Sequence, residues 1–222
     1  MEHPLDISPP ESTPDSASPA GNKGQIRQAN EALILLAAEH VFARAGFGGA
    51  TMAAIAEASG LPKANLHYYF GSKQALYRAV LERILSDWLM PAHGITRDAD
   101  PRTALERYIR AKMALSAERP DASKVWANEI LHGAQVVQEL LATELRLLVL
   151  EKAAVVQYWV EQGRMAPVDG MQLFFTIWAA TQTYADFDVQ ICAVMGQSTL
   201  RASDFERATD HVVGLVLRGC GL

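Results

Sequence analysis

The segment at 51–70, TMAAIAEASGLPKANLHYYF, constrains the fold of this chain more than any other stretch. Thr51 is suited to cap a first short helix, because its hydroxyl can accept a hydrogen bond from a free backbone N–H. Gly60 stands where a tight turn requires a positive φ, and Pro62 suits the start of a second helix because it has no N–H to lose. The pattern therefore predicts two short helices joined by a glycine turn, the first with an inward face at Ile55, Ala56 and Ala58.

The second predicted helix has one apolar side and several polar or aromatic tips. Leu66 and Phe70 recur four apart, so they share a side of that helix. The remaining sides, which a partner could reach, carry Lys63, Asn65, His67 and Tyr68. This arrangement fits a helix-turn-helix with a recognition helix, and it also fits an ordinary helical hairpin within a bundle. Periodicity alone does not decide between the two.

The flanking residues favour the helix-turn-helix. The stretch AGFGGAT at 45–51 precedes the two helices, and GSKQAL at 71–76 follows them. With the turn IAEASG at 55–60 and the closing YYF at 68–70, these motifs stand in register over about 30 residues. This run resembles the DNA-binding domain of the TetR family of bacterial regulators. The resemblance implies a three-helix N-terminal head that binds a double-stranded DNA operator.

By that resemblance, the recognition helix presents four positions to the DNA groove: Lys63, Ala64, Asn65 and Tyr68. Asn65 could pair with adenine edges, and Lys63 could reach a guanine or a phosphate. The alternative for each residue is a solvated helix face.

Phosphate contacts are expected beside the motif. The expected groups are Lys73, at the start of the next helix, and Thr51 with its helix N-terminus. His67 stands where the family usually has a phosphate-binding Tyr, which leaves that contact open. Because one recognition helix reads only a few base pairs, tight binding implies a homodimer on a two-fold-related operator.

Charge and cysteine content favour a reduced, DNA-binding protein over an exported one. The formal charge is −5, but residues 23–73 carry five bases against three acids and are the only net positive part. That segment permits phosphate contact. Cys192 and Cys220 are too few for a disulfide framework and lack metal-ligand spacing. With neither an export signal nor a membrane span in the pattern, a cytoplasmic bacterial protein without membrane contact is expected.

Helical periodicity continues through the chain, so the fold class is predicted to be all-α. Residues 1–22, which hold five of the ten prolines, are predicted to be a disordered arm. Residues 23–73 form the predicted DNA-binding domain, and 74–222 the effector-binding and dimerisation domain. The helices of the second domain are predicted at about 102–118, 121–132, 134–163, 170–195 and 202–219. The family resemblance implies that the last two pair across a dimer, and the apolar side chains of 205–217 suit that use.

A second resemblance concerns the effector. The segments 85–91, 152–159, 163–167 and 178–190 are similar to those of pyrimidine-utilisation regulators within the same family. That similarity implies uracil or thymine as the effector and Trp88, Trp178 and Gln182 as effector-binding residues. Indole faces can sandwich a flat pyrimidine, and a primary amide can donate and accept at one ring edge. Secondary candidates are Asn128, Glu129, Thr181 and Tyr184.

Two alternatives remain open from the residues themselves. The tryptophans could be ordinary core residues, or they could line a wider pocket for another hydrophobic or drug-like effector. An enzyme is not expected, because the histidines are scattered and no catalytic or metal-ligating constellation is present. Asp186 and Asp188, two apart, would point to different faces of one helix. No cofactor is implied.

Overall fold

The computed structural model describes residues 19–222, with side chains from residue 24 onward. Over this range every regular element is helical, which confirms the all-α prediction. The elements are α1 Pro19–Gly49, α2 Met52–Ser59, α3 Lys63–Phe70, α4 Lys73–Leu89, α5 Pro101–Glu118, α6 Pro120–Leu131, α7 Gln138–Leu140, α8 Arg146–Glu161, α9 Gly170–Asp186, α10 Asp188–Met195 and α11 Ala202–Gly219. A 3₁₀ turn at Met90–Gly94 follows α4, and a π turn at Leu141–Leu145 joins α7 to α8. The predicted disordered arm lies outside the described residues, apart from its last four, which belong to α1.

The head is formed by α1, α2 and α3, and its helix-turn-helix forms as predicted. Thr51 caps α2 by accepting a hydrogen bond from the Ala54 N–H at 3.1 Å. Gly60 adopts φ +68°, the left-handed conformation that the turn needs. Ala58 is exposed, so its predicted inward position is wrong. The buried stripe of α2 instead follows Met52, Ile55 and Ala56 at helical spacing, and Ala58 lies off that stripe.

Helix α1 packs behind the motif and is interrupted near its end. Gly46 has non-helical torsions, φ 65° and ψ 172°. By length and composition alone, the segment Gly24–Gly49 could cross a membrane. Within this segment, Ile34, Ala38 and Phe42 are buried in the hydrophobic cluster of the head.

Helix α4 leads from the head to the body. Ser72 caps it by accepting a hydrogen bond from the Ala75 N–H at 3.1 Å. Leu76, Val80 and Ile84 are buried at a four-residue spacing, and Trp88 near the end is half-buried. One hydrophobic cluster therefore runs continuously from the head along α4 and includes α6 residues such as Val125 and Trp126.

Two body helices differ from their predicted ranges. The helix predicted at 170–195 is broken at Phe187, whose φ −120° and ψ 30° are not helical. The helix predicted at 134–163 begins only at Gln138, because Gly133 and Ala134 both have positive φ and form a turn. The break at Phe187 lies between Asp186 and Asp188, which accept hydrogen bonds from Ser123 and Lys124 of α6, a tertiary contact that periodicity does not indicate.

The last helix uses most of its apolar face within one protomer. Val212, Val213, Val216 and Leu217 of α11 are buried in the body core, where α11 packs against α5 and α9. Only Leu215 among these predicted interface residues is exposed, and Phe205 is half-buried. The apolar pattern of α11 therefore reports the body core more than a dimer interface.

Candidate DNA-binding surface and effector pocket

The recognition helix α3 lies at the surface of the head. Lys63, Ala64, His67 and Tyr68 are exposed, and Tyr68 has 76% of its surface open to solvent. Asn65 is half-buried, while Leu66 on the opposite side is completely buried. The predicted groove-facing residues are thus held outward by a helix that is anchored through its apolar side.

Lys73 has a structural role that the sequence did not indicate. Its Nζ donates to the carbonyl oxygens of Phe47 at 2.7 Å and Ala50 at 2.9 Å. The same ammonium lies 4.5 Å from the centroid of the Phe47 ring. Two of its three N–H donors therefore hold the link between α1 and α2, and one remains for an outside acceptor.

His67 and Tyr69 also make local contacts within the head. The Nδ1 of His67 lies 2.9 Å from the carbonyl oxygen of Gly71, at the end of α3. The side-chain amide of Asn30 donates to the Tyr69 hydroxyl at 3.2 Å, which ties α1 to α3. Of the two, the Asn30–Tyr69 bond orients the recognition helix relative to α1.

The three predicted effector residues line one cavity. Trp88 from α4 and both Trp178 and Gln182 from α9 face it. The cavity volume is about 60 Å³, room for a few water molecules. The other lining residues are mostly apolar: Leu85, Leu89, Ala92, Tyr108, Lys112, Trp126, Leu145, Leu148, Val149, Lys152 and Phe174. A small, mainly apolar pocket with a few polar groups is the usual form of a small-molecule site.

Hydrogen bonding orients one wall of the pocket. The Trp178 indole N–H donates to the Tyr108 hydroxyl oxygen at 2.7 Å. Burial raises the pKa of Tyr108 to about 12, so the phenol is neutral and its own proton stays available. Within the described residues, the Gln182 amide has no hydrogen-bond partner, which leaves both its donor and its acceptor free for a ligand.

Two buried lysines line the same pocket. Lys112 is 3% exposed, and its Nζ lies 4.2 Å from the centroid of the Trp88 ring. Burial lowers the pKa of Lys112 to about 7, although Asp186 acts in the opposite direction. Lys152 is also buried, and its Nζ donates to the exposed Glu151 at 2.8 Å.

Sequence reasoning missed these lysines and Trp126. The ring of Trp126 lies 5.8 Å from that of Trp88 and completes an aromatic corner between α4 and α6. A signal was available for the lysines. Lys112 interrupts the buried stripe of α5, and Lys152 interrupts that of α8. A charged residue in such a stripe is rarely buried without a reason.

The secondary candidates lie outside the pocket. Glu129 accepts hydrogen bonds from the Tyr77 hydroxyl at 3.1 Å and from the Val136 N–H at 2.7 Å. Asn128 and Glu129 border a wider open cleft between the head and α6. Thr181 donates to its own helix at the Ile177 carbonyl, and Tyr184 packs in the body core.

Polar contacts join the pocket to the head through the start of α6. Arg119, between α5 and α6, donates to Glu39 of α1 and to Asp87 of α4. Asp121 lies 2.8 Å from Nδ1 of His40 in α1. Asp87 directly precedes the pocket residue Trp88 in α4, so the ion cluster and the pocket share that helix end.

The head is a helix-turn-helix whose second helix faces outward, and the long helix α4 joins it to a body that encloses a pocket. This combination defines a class of transcriptional regulator with a separate ligand-binding body. The chain belongs to the TetR family. The profile described as "Bacterial regulatory proteins, tetR family" matches residues 34–80, and the one described as "YcdC-like protein, C-terminal region" matches residues 81–222. The chain is therefore a DNA-binding transcriptional regulator, and the predicted resemblance is confirmed.

Individual relatives agree with this family. The HTH-type transcriptional regulator RutR of Escherichia coli strain K12 is 38% identical over 207 residues, covering 93% of this chain and 98% of RutR. The HTH-type transcriptional repressor NicS of Pseudomonas putida is 33% identical over 135 residues, covering 59% of this chain and 61% of NicS. The solved structure of the ketosteroid transcriptional regulator KstR2 of Mycobacterium tuberculosis matches in fold, with a TM-score of 0.68 at 16% identity, covering 86% of this chain and 94% of KstR2.

These relatives are regulators, which confirms the expectation that the chain is not an enzyme. In the part of the chain that the structure describes, no group of three or more His, Cys, Asp or Glu residues could hold a metal ion. The family profiles meet between residues 80 and 81, inside α4, whereas the sequence placed the domain boundary at 73 and 74. The continuous cluster along α4 gives no sharp physical boundary at either point.

Proposed function

We propose that this chain is a cytoplasmic, homodimeric repressor of pyrimidine utilisation. It binds a palindromic operator through α2 and α3, and uracil or thymine bound in the body pocket controls that binding. The observation that carries this proposal is the meeting of Trp88, Trp178 and Gln182 in one small cavity. These residues come from two helices far apart in the chain, and a similarity to pyrimidine-responsive regulators had singled them out.

The pocket chemistry suits a pyrimidine. Trp88 and Trp178 supply flat apolar faces for a ring, and the unpartnered Gln182 amide can donate to and accept from adjacent ring groups. The cavity is small for a drug-like molecule, and its buried Lys112 and Lys152 disfavour a cationic one. These features favour a small, uncharged or acidic ring over the wider hydrophobic alternative.

The proposed DNA contacts divide into two kinds. Lys63, Ala64, Asn65 and Tyr68 would face the bases, while Thr51, His67 and Lys73 would approach phosphates. The exposure of α3 supports the first group. The remaining N–H of Lys73 and the N-terminus of α2, capped by Thr51, support the second.

A second subunit would supply the other recognition helix and cover exposed apolar surface. Such side chains stand on α8, α9 and α10: Leu147, Leu150, Phe175, Val189 and Val194. Apolar side chains exposed on a protein surface are candidates for association when they form one contiguous patch. We infer that the homodimer contact uses exposed apolar residues of these three helices.

Effector binding would reach the head through α4 and α6. A ring against Trp88 and Trp126 contacts both helices at the point where they belong to the head cluster. The Arg119 ion cluster then links that point to α1. A ligand that favours one spacing of α4 and α6 therefore favours one placement of the heads.

The effector half is tested with Gln182→Ala and the matched control Gln172→Ala, an exposed position on the same helix. Uracil and thymine should raise the melting temperature of the wild type and of the control, but not of Gln182→Ala. All three should bind the same operator DNA in a gel shift. Failure of millimolar uracil and thymine to stabilise the wild type would rule out the pyrimidine effector.

The DNA half is tested with Lys63→Ala and the control Arg102→Ala, an exposed cation on the body. The first should weaken binding to upstream DNA and reduce its salt dependence by about one unit of slope, and the control should change neither. Lys73→Ala should also lose DNA binding while keeping the uracil response. Because Lys73 holds the α1–α2 link, the melting temperature of the Lys73→Ala variant should fall as well.

A further inference from the structure

The polar groups of the pocket are mostly hydrogen-bond donors. The ammonium groups of Lys112 and Lys152 and the phenol of Tyr108 can each donate into it, as can the Gln182 amide. Its lining includes no carboxylate. The side-chain acceptors are Gln182 Oε1 and the Tyr108 oxygen, which already accepts from Trp178. A ligand that fills this pocket must therefore present acceptors.

Among these donors, Lys112 is the one whose ammonium group has no hydrogen-bond acceptor among the described residues. It is almost completely buried, it lies over the Trp88 ring, and no described residue accepts a hydrogen bond from it. The other charged or titratable groups toward it are Asp186 of α9, Lys152 of α8 and Tyr108 of α5. Asp186 already accepts from Ser123, and Lys152 is occupied by Glu151. An ammonium held this way lacks a contacting counter-charge, which a ligand could supply.

We propose that Lys112 is the specificity-determining residue of the pocket and binds an oxo group or ring anion of the effector, so that acidic oxopyrimidines bind best and aminopyrimidines are rejected. This inference rests on the proposed pyrimidine function. An oxo oxygen accepts from the ammonium, and a negative charge on the ring strengthens that bond. The amino group of cytosine would aim its own N–H donors at the ammonium and leave it without an acceptor.

The same contact couples binding to a proton. In the free protein, burial lowers the pKa of Lys112 to about 7. A bound anion favours the charged lysine and raises this pKa, so the complex holds more protons than the free protein above pH 7. Affinity for an anionic ring should therefore fall as pH rises from 7 to 9. Binding at pH 8 should take up protons from the buffer.

The test is isothermal titration calorimetry of the full chain with uracil, cytosine and barbiturate, a trioxopyrimidine that is ionised at neutral pH. For the wild type at pH 7, barbiturate should bind at least about ten-fold tighter than uracil, and cytosine at least about ten-fold weaker. Lys112→Met should bring barbiturate and uracil to within about three-fold of each other. Lys124→Met, outside the pocket, should keep the wild-type order.

Titrations of the wild type in two buffers of different ionisation enthalpy measure the proton uptake without any substitution. Uptake on barbiturate binding at pH 8 supports the role of Lys112. Equal affinities for uracil and barbiturate, or a wild-type order retained in Lys112→Met, would overturn the inference while leaving uracil as the effector. If none of the three rings binds, both the inference and the proposed pyrimidine function fall.

Discussion

Replacing Arg119 by Met should destabilise the protein more than any exposed charge change. The Arg119 side chain is 20% exposed and pairs with Glu39, which is 7% exposed, and with Asp87, which is 38% exposed. Without Arg119, the Glu39 carboxylate is left buried and unpaired. Removing one partner of a buried ion pair lowers the free energy of unfolding by about 3–5 kcal/mol. An exposed pair such as that with Asp87 contributes about 0–1 kcal/mol. Because Arg119 retains some solvent contact, we expect a loss near the lower end, about 3 kcal/mol.

Urea unfolding measures this loss directly, and the melting temperature should fall by roughly 6–12 °C for a chain of this size. Arg83→Met is the matched control, since Arg83 approaches the same Asp87 at only 4.0 Å. It should cost less than about 0.5 kcal/mol. The double variant Glu39→Met with Arg119→Met should recover most of the stability, because neither buried charge remains. Equal small losses for Arg119→Met and Arg83→Met would refute the assignment of a buried ion cluster.

Three further changes have expected outcomes. The wild type should gain stability to urea between about pH 7 and pH 10, and Lys112→Met should lose that gain. The pKa of lysine is about 10.4 in the unfolded chain, and that of Lys112 in the folded protein is about 7. The unfolded state therefore binds more protons in this window, so the free energy of unfolding rises with pH. Gly170→Ala should lower the melting temperature, since its new Cβ would lie 2.9 Å from the Ala153 Cα, whereas Gly48→Ala meets nothing within 4 Å and should not. Thr51→Ala should cost about 1 kcal/mol in urea unfolding by removing the α2 cap, and Thr51→Ser should cost much less.

The head was predictable because its signals are local. Thr51, Gly60 and Ser72 each act on backbone groups within a few residues, so their roles follow from the sequence alone. Ala58 was misplaced because α2 is short and mostly apolar, so its pattern fits more than one buried face. The exposure of α3 agrees with a recognition helix, while the carbonyl contacts of Lys73 depend on a loop 23 residues earlier.

The body was less predictable because the break at Phe187 has a tertiary cause. The sequence pattern predicted that Asp186 and Asp188 belong to one helix and point to different faces of it. In the structure the helix breaks between them, and both face α6: Asp186 accepts from Ser123, and Asp188 pairs with Lys124 at 2.9 Å. The pocket residues Trp88, Trp178 and Gln182 came from resemblance, whereas Trp126 and Lys112 needed the packing of α4, α5 and α6 to be seen.

Helix α6 is held at both of its ends. Near its start, Arg119 and Asp121 are bound to the head while Ser123 is bound to α9. At its far end, Glu129 is bound to Tyr77 of α4. Trp126 lies between these anchors, so we expect α6 to move as a rigid unit when a ligand displaces Trp126. Such a motion would carry the contacts at both ends along and favour two discrete arrangements of the regulator over a continuous range.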